Sequence, residues 1–203
     1  TVGKSGSVAA AAFDLNGKSQ TIGGLAEAHF AGSGTQRIIS SAPATLIVNN
    51  SASNTFGTTG SSIEGAIALV KTGSGTLTLT GTNSYSGSTV ISNGTLVVGS
   101  AGELGSGCTN VVVASGSLAL RNLSSAISDS ATIRIANVAE AKVDLAADVN
   151  ETVSCLYFGN KQMRAATYGA SGSAAEVIND VHFSGSGVLT VLSGSGGTIF
   201  ELR

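Results

Sequence analysis

Residues 70–98 read VKTGSGTLTLTGTNSYSGSTVISNGTLVV, and this stretch decides the fold. Two short alternations are embedded in it. In the first, Leu77 and Leu79 fall on one side of an extended chain and Thr76, Thr78 and Thr80 on the other. In the second, Leu96 and Val98 repeat the rule. Successive side chains of a strand point to opposite faces, so such alternation predicts half-buried strands. Between them lie Gly-Ser, Ser-Gly and Asn-Gly pairs, which are turn signals. Lys71 is the one charged residue of the stretch.

The same phrase recurs outward from there. Gly75-Thr76-Leu77 returns as Gly94-Thr95-Leu96 and again, at nearly the same offset, as Gly116-Ser117-Leu118. Thr89-Val90-Ile91 is answered by Val111-Val112-Val113, and Thr132-Ile133-Arg134-Ile135 lies about one period on. A period near twenty residues marks a stacked array, each unit burying its apolar side against its neighbours. The expected fold is all-β: a right-handed parallel β-helix with coils of about 20 residues and strands about 4.8 Å apart. An antiparallel sandwich would also show short strands, but it gives no reason for one phrase to recur at a near-constant offset. The best helix candidate is Ser171–Asp180, SGSAAEVIND.

Composition agrees with a lean, folded chain. Of 203 residues, 42% are hydrophobic and only 4% aromatic, so the core must be built from Ala, Val, Leu and Ile. Charged residues are 11%, less than half the usual share, which with the apolar content argues against disorder. The net charge of −2 and the scattered Lys and Arg give no basic stripe, so nucleic acid is not an expected partner. No apolar run approaches a membrane-spanning length, so membrane insertion by this segment is not expected. The start, TVGKSGSVAAAAFDLNG, reads as mature protein with a strand around Phe13-Asp14-Leu15, cut from a longer precursor with neighbouring domains.

The order Lys71-x-Gly73-x-Gly75-Thr76-Leu77, then Gly81-x-Asn83-x-Tyr85-x-Gly87, then Gly94-Thr95-Leu96, resembles the autotransporter-associated β-strand repeat. The resemblance covers the quoted stretch and is specific in its order of Gly, Asn, Tyr and Gly. More loosely, Asp14–Gly17 with Gln20–Gly23 is similar to the usual lead-in of such proteins. Thr167–Ala170 with Asp180–Val191 is similar to their closing unit. What the resemblance implies is a right-handed parallel β-helix in a large exported bacterial protein, extracellular or displayed at the cell surface. Residues 1–203 are expected to form a single segment of it, with an atypical closing unit near 150–203. The implied function is non-catalytic, structural or adhesin-like. The alternatives are a carbohydrate-binding module and a polysaccharide lyase or hydrolase. Expected partners are host or environmental glycans or surface proteins.

Candidate site residues each have a plainer reading. Gly73-Ser74-Gly75 lacks the Lys-Ser/Thr ending of a phosphate loop and reads as a tight corner. Lys142 and Asp144 share the outward face of a strand, with Arg134 expected near; polysaccharide cleavage would need such groups to converge, whereas a charge ladder would not. Asp14, Glu64, Glu103 and Glu151 read as isolated surface or turn residues. His29 and His182 have no motif partners, and a packing role is expected for His182. Tyr85, Tyr157, Tyr168 and Phe56 are the rings weighed for sugar stacking, with a structural role expected for Tyr85 and Tyr157 or Tyr168 lining any glycan groove. Cys108 and Cys155 are separated along the chain by about two coils, or roughly 10 Å of the axis, so free thiols are expected and a disulfide, with its Cα reach of about 7 Å, would need a loop to fold back. No catalytic, cofactor or metal site is expected.

Overall fold

The structure, a computed structural model, describes residues 11–27, 34–58, 60–123 and 125–194. Every element among them is a strand. The chain runs through β1 (Ala11–Asp14), β2 (Gln20–Ile22), β3 (Gln36–Asn49), β4 (Asn54–Phe56), β5 (Ser62–Thr72), β6 (Thr76–Leu79), β7 (Ser84–Tyr85), β8 (Thr89–Ile91), β9 (Thr95–Val98) and β10 (Asn110–Val113). It continues through β11 (Ser117–Leu120), β12 (Thr132–Ile135), β13 (Lys142–Leu145), β14 (Asn150–Val153), β15 (Cys155–Phe158), β16 (Lys161–Gln162), β17 (Ala166–Gly169), β18 (Val177–Ile178), β19 (Phe183–Gly185) and β20 (Val188–Val191).

Two parallel sheets face each other across the coil. The first has the order β1-β3-β5-β8-β10-β12-β15-β16, with β2 also on β3 and β7 on β5; the second has the order β19-β13-β11-β9-β6-β4. Together they make a β-solenoid of about six turns. The recurring phrase is the register itself. Leu77 lies beside Leu96, Leu96 beside Leu118 and Leu118 beside Val143. A second inward column of this sheet runs Phe56, Leu79, Val98, Leu120, Leu145. The first sheet answers with Leu46, Leu69, Thr89, Val111, Ile133, Leu156. These residues are all essentially inaccessible to solvent. Each aliphatic side chain so buried contributes about 1.5–3 kcal/mol relative to an exposed one.

The corners are set by glycine. Gly73, Gly94 and Gly116 all have positive φ, between 68° and 81°. A Cβ on Gly94 would sit 2.4 Å from the carbonyl oxygens of Gly73 and Gly75, and one on Gly116 would sit 2.3 Å from the Gly94 oxygen. One coil's corner therefore rests directly on the backbone of the coil before it, as expected for Gly73-Ser74-Gly75.

The C-terminal end departs from the repeat. After β13 the next strand of the second sheet is β19, which sets Phe183 beside Val143. The intervening chain supplies β16, antiparallel on β15, and β14, β17 and β18, which join β20 in a third sheet of order β14-β20-β17-β18 where β17 and β20 are antiparallel. Two of the inward columns end in aromatic rings here, on Phe158 and Phe183. Phe158 stacks on His182 at 4.9 Å and meets Phe183 edge-on at 6.2 Å, and Tyr168 lies 6.5 Å from Phe183. The helix expected at Ser171–Asp180 does not form. Gly172 has φ 94°, and the Asp180 carboxylate accepts hydrogen bonds from the Ser171 amide and hydroxyl, closing a loop that leaves only Val177–Ile178 as a strand.

Three glycines separate the two roles of this residue. Gly94→Ala should cost more than about 3 kcal/mol, since it adds a backbone clash to the strain of positive φ. Gly172→Ala, at φ 94° with open space around it, should cost about 1 kcal/mol of strain alone. Gly23→Ala, with neither constraint, should fall within about 0.5 kcal/mol of the parent. Urea unfolding of the three variants measures the ranking.

Candidate functional site

The opening stretch is where polar side chains enter the core, and each is tied to backbone. Lys71 occupies an inward position between Val48 and Ile91 in an otherwise apolar column that continues through Val113 and Ile135. It is inaccessible to solvent. Its ammonium donates to the carbonyl oxygens of Thr72 (2.5 Å) and Gly73 (2.9 Å) on its own coil and of Asn93 (3.3 Å) on the next. Burial lowers its pKa. Asn83 spans three coils: its Oδ1 accepts from the Ile63 amide at 2.8 Å, and its Nδ2 donates to Gly81 O and Glu103 O at 3.1 and 2.7 Å. Tyr85 is fully buried, its hydroxyl 2.7 Å from Thr89 Oγ1, which supplies the partner a buried phenol needs. The Lys, Asn, Tyr and Gly of the phrase thus each fasten a corner, and none faces a substrate-sized opening.

The charged constellation weighed for catalysis does not assemble. Asp144 lies on β13 of the second sheet, whereas Arg134 lies on β12 of the first, its guanidinium 3.8 Å above the Tyr157 ring. Asp144 instead pairs with Arg121, which also donates to the Leu120 and Asp144 carbonyl oxygens, and accepts from the Ser184 hydroxyl at 2.8 Å. Burial raises the Asp144 pKa, but the hydrogen bonds from Arg121 and Ser184 outweigh it and the net shift is downward. Lys142 is exposed on the same strand. The partner of Asp144 was not legible because Arg121 lies one residue beyond its strand, at the corner where a long side chain turns back over the neighbouring coil.

Among the other carboxylates, Asp14 is exposed at the end of β1 and accepts from the Asn16 amide of the turn that follows. Glu64 is held below its usual pKa chiefly by the hydrogen bond from Arg37. Glu103 is partly exposed beside Thr82. Glu151 corrects the expectation of a surface or turn residue: it is fully buried. Its two oxygens accept from the Ala126 and Ile127 amides, each at 3.0 Å. Those two amides belong to a loop with no strand partner for them, so a carboxylate from β14 takes the place of a ladder. Burial pushes the Glu151 pKa up to about 7, against the two hydrogen bonds, with the Asp129 charge adding to the rise. With both oxygens occupied by backbone, this acid has no free face for proton transfer to a substrate.

The rings and histidines divide similarly. Phe56 and Tyr168 are core residues, so Tyr168 cannot line a glycan groove; Tyr157 is half-buried under Arg134. His182 packs against Phe158 and donates from Nδ1 to Ala141 O at 3.0 Å, the packing role expected. His29 lies outside the described residues. Cys108 and Cys155 are free thiols. Cys155 is in register with Thr132 and, one strand further, with Asn110, which places it two coils from the Cys108 corner. Among the described residues no group of three or more His, Cys, Asp or Glu could hold a metal ion. A cavity of about 480 Å³ at the β1–β2 end is lined by Phe13, Ile22, Leu25, Ile38 and Leu46. Among the described residues its lining is apolar apart from glycine, with no titratable group.

Two measurements follow from the buried charges. A carboxyl whose folded pKa is raised binds its proton more tightly when folded, so its stabilising effect is full below the unfolded value, near 4.5, and is lost as pH rises through about 7. Stability from urea titrations should fall by up to about 3 kcal/mol between pH 4.5 and 8. Glu151→Gln should flatten that slope while forfeiting one amide hydrogen bond. Lys71→Met keeps the volume but strands three buried carbonyl oxygens, and should lower stability by about 2 kcal/mol at pH 7 in the same titration.

The family model described as the passenger-associated-transport-repeat matches residues 69–98. Comparison with curated proteins and with solved structures gave no match. The matched span opens on Leu69 and Val70 of β5, carries Lys71, Asn83, Tyr85 and Gly94, and closes on Val98 of β9. Residues 69–98 therefore match a passenger-associated transport repeat, and the match lies within a parallel β-solenoid.

Proposed function

We propose that the chain is a non-catalytic structural module of an exported bacterial protein, secreted or displayed at the cell surface, where it spaces and presents adhesive surface. The observation that carries this reading is where the polar groups go. Lys71, Asn83 and Glu151 are engaged by backbone amides and carbonyls inside the stack. Arg134 and Asp144 are held apart on different sheets by Tyr157 and Arg121. The passenger repeat at 69–98 supports export, since that family implies a secreted or surface-exposed protein. A stacked coil gives a stiff, narrow element from low-charge sequence, which suits a stalk.

The glycan-binding reading keeps one observation in its favour, the Arg134–Tyr157 pair on an outer face. A cation over an aromatic ring is a structural interaction in its own right, so it ranks second.

The test is incubation of the purified chain with a panel of acidic and neutral polysaccharides, read for new reducing ends and unsaturated products, beside a glycan-binding array. No cleavage is expected. Cleavage abolished by Asp144→Asn would overturn the reading, and glycan binding abolished by Tyr157→Ala would replace it with the second.

A further inference from the structure

The third sheet carries a groove on its outer face. Register sets the outward residues there. Asn150 lies beside Val188, and Thr152, Thr190 and Thr167 form a row across β14, β20 and β17. Between these strands and the corners that feed them is a cavity of about 310 Å³ whose lining includes Asp148, Asn150, Thr167, Ser186, Val188 and Thr190. Asp148, Asn150 and Ser186 are exposed, and the other three are half-buried. The Thr190 hydroxyl donates to Asn150 Oδ1 at 3.3 Å, and Thr167 Oγ1 accepts from the Glu176 amide at 2.8 Å. That leaves the Asn150 amide hydrogens free to donate. Among the described residues the Asp148 carboxylate and the Ser186 hydroxyl have no hydrogen-bond or ion-pair partner.

Asp148 is held beside this groove at a cost. The Val149 amide donates to the Ala146 carbonyl oxygen at 3.2 Å and closes a turn with Asp148 at its third position, φ 65°. A turn whose third residue has positive φ asks for glycine or asparagine there. Aspartate visits this region when its side chain hydrogen-bonds the local backbone, and Asp148 makes no such bond among the described residues. Glycine would fit the turn better, so the fold gains nothing from this carboxylate. Strain of this kind, observed at an unpaired polar side chain beside a cavity, points to a site.

We propose that this groove binds a single neutral sugar residue of a glycan, with Asp148 and Asn150 as its specificity pair. The inference deepens the adhesive part of the function above and rests on it, but puts the contact on the third sheet rather than at Arg134 and Tyr157. Asp148 offers only acceptors and Asn150 Nδ2 only donors. A hydroxyl does both, so one sugar hydroxyl can donate to the carboxylate and accept from the amide at once. Peptide groups cannot, because their N–H only donates and their C=O only accepts. The Ser186 hydroxyl is free for a neighbouring ring hydroxyl, and the Val188 methyls give the C–H face of the ring an apolar rest. No cationic side chain lines the groove, so the Asp148 charge disfavours acidic sugars. The volume lies at the small end of ligand sites, which begin near about 300 Å³, so one ring is accommodated. Binding of one residue is weak and gains by avidity when many chains stand on a surface.

Titration of the purified chain with methyl glycosides of neutral hexoses and N-acetylhexosamines, and with methyl glucuronide, to about 100 mM and followed by amide NMR shifts, tests this. At least one neutral glycoside should bind with a Kd of about 1–10 mM, and the glucuronide at least tenfold more weakly. Asp148→Gly should weaken binding at least tenfold while raising the urea midpoint, a combination that a merely structural Asp148 would not give. Asn150→Ala should weaken binding at least fivefold, and it carries the test if Asp148→Gly fails to fold. The proposal is overturned if no neutral glycoside binds, if the glucuronide binds as tightly, or if the folded variants leave binding unchanged. Binding lost with Tyr157→Ala but kept with Asp148→Gly also overturns it and selects the Arg134–Tyr157 pair. None of these results bears on the non-catalytic reading, which new reducing ends in the polysaccharide incubations would overturn by themselves.

Discussion

Everything in this solenoid depends on how closely one coil's backbone can approach the next at the corners. At Gly73, Gly94 and Gly116 the carbonyl oxygen of the preceding coil stands where a side chain would begin. That approach holds adjacent strands in register and lets the same inward position stack through Leu77, Leu96 and Leu118. A wider corner would pull both sheets out of hydrogen-bonding distance at once, since they share it. The strands are interchangeable aliphatic alternations; the corner chemistry makes them one object.

Polar groups inside the stack follow from the same constraint. A tight corner turns several carbonyl oxygens and amides inward, where no strand can pair them, and unpaired buried groups are costly. Lys71 answers the carbonyls and Glu151 the amides. Asn83, with a donor and an acceptor, answers both. In each case a side chain substitutes for a missing ladder, which is why a core this apolar contains a lysine and a glutamate.

This also explains what could be read in advance. The columns were legible because alternation and a near-constant offset are properties of the sequence alone, so Leu77, Leu96 and Leu118 declare themselves. The corner at Gly73-Ser74-Gly75 was legible from glycine. The burial of Glu151 was not: its neighbours alternate as in any strand, and only the position of the Ala126–Ile127 loop, on the coil before, gives the carboxylate its partners. Arg121 escaped for a like reason, since its partner Asp144 lies one coil away. At Ser171–Asp180 the apolar residues suggested a helix, but one hydrogen-bonded Asp at the far end and a left-handed Gly172 close a loop instead. Where the repeat lapses, between β13 and β19, the period that made the rest readable carries no information.

The aromatic residues that end two of the inward columns have a mechanical consequence. One full coil runs from Leu96 to its register partner Leu118. Such a coil occupies about 4.8 Å of the axis but contains roughly 75 Å of extended chain. Tension applied to the chain ends would peel coils singly, each releasing far more length than it gives up in height. The Phe158, Phe183 and Tyr168 cluster locks the C-terminal coil to chain that returns only at β19, after the third sheet has begun. Peeling would therefore meet strong resistance where the Phe158, Phe183 and Tyr168 cluster ties separate parts of the chain together.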